Sequence, residues 1–185
     1  MKIITLHISD ENLIQKALRH NSKAEHTLYN RYAPKMLGVC RYYISDLHYA
    51  EDVMVSGFTK VFDNLGKFRN EGNFEGWIRK IMVREAISFL RSRRQLYFSD
   101  IEEAENFHIQ SPEIDYDTEM LQLLIDNLPN GYKTVLILFA IEGYNHKEIA
   151  EMLNITESTS KSQLFKARRM LQEQLANINK KENGI

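Results

Sequence analysis

Apolar residues in the first half of the chain recur every three or four positions, which is the period of an amphipathic α-helix. Ser9 or Asp10 can cap a first helix, and Asp46 can open a third. Pro34 permits a kink or a break in the second helix, and a fourth spans about residues 74–94. No alternating strand pattern of useful length occurs, so this half is predicted to be helical.

The helical period is lost between residues 95 and 113 and then returns. Pro129 then ends the first predicted helix of the second half. The chain is therefore predicted to be all-α, with two small helical bundles joined by an acidic linker. The later helices are predicted over residues 115–128, 132–142, 146–153 and 156–177.

Charge divides the chain at nearly the same places. Residues 1–95 carry 16 basic and 10 acidic side chains, and residues 133–185 carry 8 and 6. Residues 96–132 carry 9 acidic side chains and no basic one. Two mildly basic blocks on either side of an acidic segment indicate two modules that face nucleic acid, with a different role between them.

Composition argues against several classes of function. Cys40 is the only cysteine and lies in an apolar helical pattern, which predicts a small buried side chain and fits a reducing cytoplasm. The six histidines lack metal-ligand spacing, and no catalytic motif occurs, so we expect no metal and no enzyme. No apolar run approaches the roughly 20 residues of a membrane-spanning helix, and the N-terminus does not resemble a signal peptide.

The pattern near the C-terminus is that of a helix-turn-helix. Residues 146–153 form a short helix, Asn154 can adopt the left-handed conformation that ends it, and Thr156 can cap the next helix. In such a motif the second helix enters the major groove of DNA. The alternative, a helical hairpin with a solvated basic face, fits less well because the exposed face is hydroxyl and basic, not mixed in sign.

The second helix of this motif carries the candidate DNA contacts. With Leu164 at the buried centre and about 3.6 residues per turn, hydroxyls and cations fall on the opposite face, and Gln163 and Phe165 lie on its flanks. Hydroxyls allow close approach, cations reach phosphates, and Gln163 can hydrogen-bond an adenine edge. The predicted contacts are Ser158, Thr159, Ser162, Gln163, Lys166 and Arg169.

Two long stretches of the chain resemble one family. Residues 128–175, from LPNGYK to LQEQL, are similar to the region 4 domain of bacterial sigma factors of the extracytoplasmic-function class. Residues 28–94, from LYNRY to LRSRR, are similar to the region 2 domain of the same class. The resemblance implies sigma region 2 over residues 8–95, an acidic linker over 96–113 and sigma region 4 over 114–180.

The resemblance also implies a function and partners. Such proteins have no catalysis of their own; they bind core RNA polymerase, at the β′ coiled coil and the β flap, and direct it to promoters. Region 4 reads the −35 element as duplex DNA, and region 2 captures an unpaired base of the −10 element as the promoter opens. The expected partners are core polymerase, promoter DNA and an anti-sigma factor, with no cofactor and a cytoplasmic location.

The expected roles in region 2 combine this resemblance with side-chain chemistry. Promoter melting needs a basic surface for phosphates and a pocket for an extruded base, which the fourth helix and the loop over 68–74 offer. Trp77 has apolar neighbours, which favour a core role over base stacking. The expected −10 residues are Phe68, Asn70, Asn73, Trp77, Arg79, Lys80, Arg84, Arg91, Arg93 and Arg94. The expected polymerase-binding residues are Glu51, Asp52, Val55 and Ser56.

Two sites depart from the family pattern. Val55 and Ser56 stand where a Gln-Glu or Gln-Asp pair is usual at the polymerase-binding face. Arg84 stands where Asn is common near the captured base, and Ser88 stands where Asp is common. Because Arg84 adds phosphate attraction or a guanine-type contact, we expect a −10 preference unlike that of other members.

Two questions stay open at this point. A helix-turn-helix regulator that acts without polymerase would explain the C-terminal module but would leave the N-terminal bundle unassigned. The acidic linker is either a solvated spacer or a mimic of nucleic acid in the polymerase cleft, where the family's linker runs toward the RNA exit path. The acids concerned are Asp100, Glu102, Glu103, Glu105, Glu113, Asp115 and Asp117.

Overall fold

A computed structural model describes residues 9–69, 72–93 and 118–182, which contain helices and no strand. The predicted all-α fold is confirmed for this part of the chain. The helices are α1 (Asp10–Ala17), α2 (Ser22–Tyr43), α3 (Leu47–Asp63), α4 (Phe74–Ser92), α5 (Thr118–Asp126), α6 (Asn130–Ala140), α7 (His146–Leu153) and α8 (Glu157–Glu182), with a 3₁₀ turn over Leu65–Lys67.

The chain divides into two compact units between Phe89 and Leu90, close to the C-terminal end of α4. The acidic linker predicted over residues 96–113 lies outside the described residues. The domain limits 8–95 and 114–180 stay a prediction. Among the helices described, none is long and apolar enough to cross a membrane.

Side-chain caps fix the starts of the first three helices. Ser9, Asn21 and Asp46 each accept a hydrogen bond from the backbone N–H three residues later, at 3.4, 3.0 and 3.0 Å. Each bond satisfies an N–H that has no partner within its own helix. The caps predicted at Ser9 and Asp46 are confirmed.

Pro34 does not break α2, which runs from Ser22 to Tyr43 without interruption. Proline removes one helical hydrogen bond and crowds the carbonyl four residues earlier. The Pro34 side chain is exposed, and on the solvent side a carbonyl without its helical partner can bond to water. The break that the sequence permitted therefore does not form.

A polar contact joins α1 to α2 above their apolar faces. The Asp10 carboxylate accepts hydrogen bonds from the Arg31 guanidinium and from the Tyr32 hydroxyl. Burial of the Tyr32 ring, together with the hydrogen bond to Asp10, raises the pKa of Tyr32 above its usual range. Tyr32 is therefore a neutral donor at physiological pH, and Asp10 fixes the crossing of the two helices.

Helix α4 buries one face within the first unit. Ile78, Met82, Val83 and Ala86 are each 0% exposed. Gly57 of α3 lies directly against Met82, because a Cβ at position 57 would stand 2.3 Å from the Met82 sulfur. A glycine at this point allows α3 and α4 to approach each other closely.

Helix α6 forms the centre of the second unit, and residues 133–138 along it are buried. One of these buried side chains, that of Lys133, carries a charge, and it is 1% exposed. Its ammonium group lies 3.1 Å from an Asp126 carboxylate oxygen at the end of α5, which compensates the buried charge. Pro129 precedes α6 and separates it from α5, as predicted.

The helix-turn-helix predicted from the sequence forms in α7 and α8. Asn145 and Glu148 make a reciprocal capping box at the start of α7. Asn154 ends α7 in the left-handed conformation, with φ 55° and ψ 50°. The Thr156 hydroxyl then accepts a hydrogen bond from the Thr159 N–H at 3.0 Å, so that Thr156 caps α8 as expected.

Candidate nucleic-acid interface

Helix α4 presents a positive surface opposite its buried face. Lys80, Arg84 and Arg91 are exposed, and within the described ranges none of the three is paired with an acid. Arg93, just beyond the helix, is also exposed, whereas Arg79 is half-buried. Cations in a row along one helix face are suited to successive phosphates of a nucleic acid strand.

An aromatic cluster lies at the N-terminal end of α4. The ring centroids of Phe68 and Phe74 are 5.1 Å apart, those of Phe68 and Trp77 are 5.5 Å apart, and those of Phe74 and Trp77 are 5.8 Å apart. Phe74 is buried, while Phe68 and Trp77 are half-buried. The rings hold the end of the loop against the helix and leave part of their surface accessible. These contacts agree with the core role that the sequence favoured for Trp77.

Polar contacts hold the start of α4 to the preceding loop and to α2. Asn73 Oδ1 accepts a hydrogen bond from the Glu75 N–H at 2.9 Å, which caps the first turn of α4. Glu75 also pairs with Lys35 of α2 at 2.7 Å, so α4 is tied to α2 at its start. Asn70 and Arg94 lie outside the described residues.

The residues expected to bind polymerase share one side of α3. Their spacing places them on adjacent turns of the helix. Val55 is 51% exposed, and Leu47, two turns earlier, is 44% exposed. Asp52 and Ser56 are exposed and Glu51 is half-buried. This side of α3 therefore exposes two large apolar side chains, with the half-buried Glu51 between them and the exposed Asp52 and Ser56 beside Val55.

Helix α8 carries most of its predicted DNA contacts on one exposed side. Ser158, Ser162 and Arg169 are exposed, and Thr159 and Lys166 are half-buried. The Ser162 hydroxyl donates to the Thr159 carbonyl at 3.0 Å, which holds it close to the helix. Arg169 Nε lies 3.6 Å from a Glu173 carboxylate oxygen, a contact that DNA would have to replace.

Gln163 is a correction to the predicted set. It was expected at the edge of the DNA-facing side, but it is 1% exposed, and its carbonyl oxygen has no hydrogen-bond partner among the described residues. The buried residues in this part of α8 are Ser160, Gln163, Leu164 and Ala167, and their mean direction is rotated by about 50° from Leu164 toward Gln163. Gln163 is therefore removed from the candidate DNA contacts.

Phe165 is the residue that the sequence analysis missed. It is 66% exposed on α8 and lies between Ser158 and Arg169 on the same side of the helix. A large exposed aromatic ring on a DNA-facing side can contact a thymine methyl group in the major groove. The same rotation of the helix that buries Gln163 brings Phe165 outward, so the correct helical phase would have identified both.

A partly buried contact fixes α8 against the rest of its unit. His146 Nδ1 at the start of α7 lies 2.9 Å from the hydroxyl of the buried Ser160 on α8. The His146 ring stacks on Phe139 of α6, with centroids 4.8 Å apart, and the Arg168 guanidinium lies 5.6 Å from the centre of the Phe139 ring. Three helices are thereby joined near the start of α8.

The described residues offer no group of three or more metal-ligating side chains. Cys40 is 0% exposed, as predicted for a small core side chain. Burial raises the pKa of the Cys40 thiol to about 12. At neutral pH this thiol is therefore protonated and poorly reactive.

Comparison with known proteins assigns both units. Residues 28–95 match the family model for sigma-70 region 2, and residues 118–171 match the model for sigma-70 region 4. The chain is 32% identical to the RNA polymerase sigma factor SigV of Bacillus subtilis over 133 residues, which cover 72% of this chain and 80% of SigV. The chain belongs to the extracytoplasmic-function class of RNA polymerase sigma factors. The ECF RNA polymerase sigma-E factor of Haemophilus influenzae is 29% identical over 182 residues, which cover 91% of this sigma factor and 96% of that one.

Solved structures agree with this sigma factor in fold. The sigma factor RpoE of Bartonella quintana, in complex with the anti-sigma factor NepR, has a TM-score of 0.51 at 21% identity and covers 82% of this chain and 96% of its own. CnrH, in complex with the cytosolic domain of CnrY, has a TM-score of 0.50 at 19% identity and covers 91% and 97%.

We predict that Gln163→Leu leaves the protein as stable as the wild type or raises the free energy of unfolding by about 1 kcal/mol, because a buried carbonyl oxygen without a partner is removed. Thermal or urea unfolding measures this change. Binding of a −35 duplex should also be unchanged, whereas the matched variant Lys166→Met should weaken it. Weaker duplex binding by Gln163→Leu at unchanged stability would return Gln163 to the DNA contacts.

Proposed function

We propose that this sigma factor divides promoter recognition between its two units. The first unit captures and helps to open the −10 element, and the second reads the −35 element as duplex DNA. Neither task requires covalent chemistry by the chain itself. Because its DNA and polymerase partners are cytoplasmic in bacteria, we also propose a cytoplasmic location and no enzymatic activity.

The observation that carries the −10 assignment is the position of the exposed cations of α4 beside an aromatic cluster. Lys80 and Arg84 can bind strand phosphates. Phe68 and Trp77 keep part of their ring surface accessible at the adjacent end of the helix. A charged track next to accessible rings is the combination by which proteins hold unpaired bases.

The −35 assignment rests on the exposed side of α8. Ser158 and Ser162 allow the helix to approach the major groove closely, and Lys166 and Arg169 supply phosphate contacts. Phe165 adds an apolar contact of the kind that recognises a thymine methyl group. The contact between His146 and Ser160 holds this side of α8 in a fixed orientation relative to α6 and α7.

We further propose that the exposed side of α3 binds core polymerase. Glu51 and Asp52 place negative charge beside the exposed Val55, which favours a basic partner surface. Val55 and Ser56 replace the polar pair that is usual in the family, so this contact relies more on apolar burial than in other members.

An anti-sigma factor is the third proposed partner. Both solved structures of similar fold are complexes, one of CnrH with the cytosolic domain of CnrY and one of the Bartonella quintana sigma factor RpoE with the anti-sigma factor NepR. The side of α3 that exposes Leu47 and Val55 is the surface at which such a protein would compete with polymerase.

Run-off transcription tests the proposed function. Core polymerase, the purified full chain and a promoter library that varies the −10 and −35 elements should together give selective initiation, and neither protein should do so alone. If instead the chain bound one duplex sequence tightly without core and gave no initiation with core, it would be a helix-turn-helix regulator that acts without polymerase.

The same library tests Arg84. We predict that Arg84→Asn, which installs the residue common in the family, shifts the preferred base in the −10 element and lowers overall promoter affinity by about 3- to 10-fold, because one phosphate-attracting charge is lost. The −35 preference should not change. An unaltered −10 preference across the library would remove Arg84 from base recognition.

A further inference from the structure

Between Lys80 and Arg91, the sequence of α4 contains one acidic residue. Glu85 follows Arg84 directly in sequence, yet its side chain is only 14% exposed. Both carboxylate oxygens face α3: Oε1 lies 2.6 Å from the Lys60 ammonium, and Oε2 lies 3.4 Å from the Ser56 hydroxyl. The carboxylate is therefore held on the α3 side of the helix.

The close approach of the two helices makes this contact possible. Ser56 and Lys60 stand one helical turn apart on α3, on either side of Gly57 in sequence. Gly57 lies against Met82, one turn before Glu85 on α4. Because no side chain at position 57 separates the helices, the Lys60 side chain reaches Glu85 while remaining 53% exposed.

The charge of Glu85 matters for any polyanion bound to α4. A carboxylate beside Arg84 would repel phosphates and lower the local positive potential. Its pairing with Lys60 cancels that charge, and the burial of Glu85 against α3 keeps the carboxylate on the inner side of the helix. The exposed cations Lys80, Arg84 and Arg91 then act together.

We propose that Lys60 is a positioning residue for promoter binding, which acts on DNA through Glu85 and not by touching it. Lys60 holds the Glu85 carboxylate against α3 and neutralises it. The proposal rests on the assignment of α4 to the −10 element, and it assigns a role to a residue on a different helix.

A double-mutant cycle tests the proposal in the full chain bound to core polymerase. Wild type, Lys60→Met, Glu85→Gln and the double variant are compared for binding to a forked −10 DNA at several salt concentrations. We expect Lys60→Met to weaken binding by about 3- to 10-fold, because the unpaired Glu85 carboxylate then repels phosphates. In the Glu85→Gln background, the same substitution should change affinity by less than about 2-fold, because no carboxylate remains to be neutralised.

Two further variants make the result specific. Lys60→Arg keeps the charge and should retain wild-type binding. Lys23→Met removes a lysine that is exposed at the start of α2, and it should not weaken binding more in the wild type than in the Glu85→Gln background. Unfolding temperatures of all variants identify any loss of affinity that follows from loss of structure.

Equal weakening by Lys60→Met in both backgrounds would overturn the proposal and make Lys60 a direct phosphate contact. No weakening in the wild-type background would overturn it as well, because the Glu85 charge would then have no influence on DNA. If wild-type holoenzyme failed to bind the forked DNA, the −10 assignment of α4 would fail, whereas the two results above concern Lys60 alone.

Discussion

Burial of one face of α4 is the constraint on which the first unit depends. Ile78, Met82 and Ala86 are completely buried along one side of this helix, so the cations that alternate with them have no place except the opposite side. The hydrophobic effect thereby determines where the positive surface lies. The aromatic cluster, the Lys35–Glu75 pair and the Lys60–Glu85 pair all hold the same helix, and each keeps its outer side available to a polyanion.

The second unit orients α8, which is proposed to face DNA, by a different means. Here a polar contact between His146 and Ser160, with Phe139 stacked on the imidazole, sets the angle at which α8 leaves the turn. The excess of basic over acidic side chains is modest in both blocks, six over residues 1–95 and two over residues 133–185, so each should bind DNA weakly and in a salt-sensitive way. Core polymerase can combine two weak sites by holding both units over one promoter, which raises the effective concentration of each.

Features that depend on neighbouring residues were predictable from the sequence. Asn154 ends α7 and Thr156 caps α8 because the bonds involved span three or four residues. Gln163 was misplaced because its burial depends on which side of α8 meets α6 and α7, and helical periodicity alone leaves that phase uncertain by about half a residue step. The pair formed by Lys60 and Glu85 joins residues 25 positions apart, so no local pattern indicates it.

Permanganate reactivity of thymines in the −10 element tests the central claim most directly, because the reagent oxidises only unpaired thymines. A promoter selected from the transcription library is treated with core polymerase, with the purified chain, and with both together. If the two units divide promoter recognition as proposed, −10 thymines become reactive only when both proteins are present. Reactivity is lost when the −35 element or the positive surface of α4 is disrupted. The proposal would be contradicted if the −10 thymines stayed unreactive with both proteins present while the chain alone bound a single DNA site.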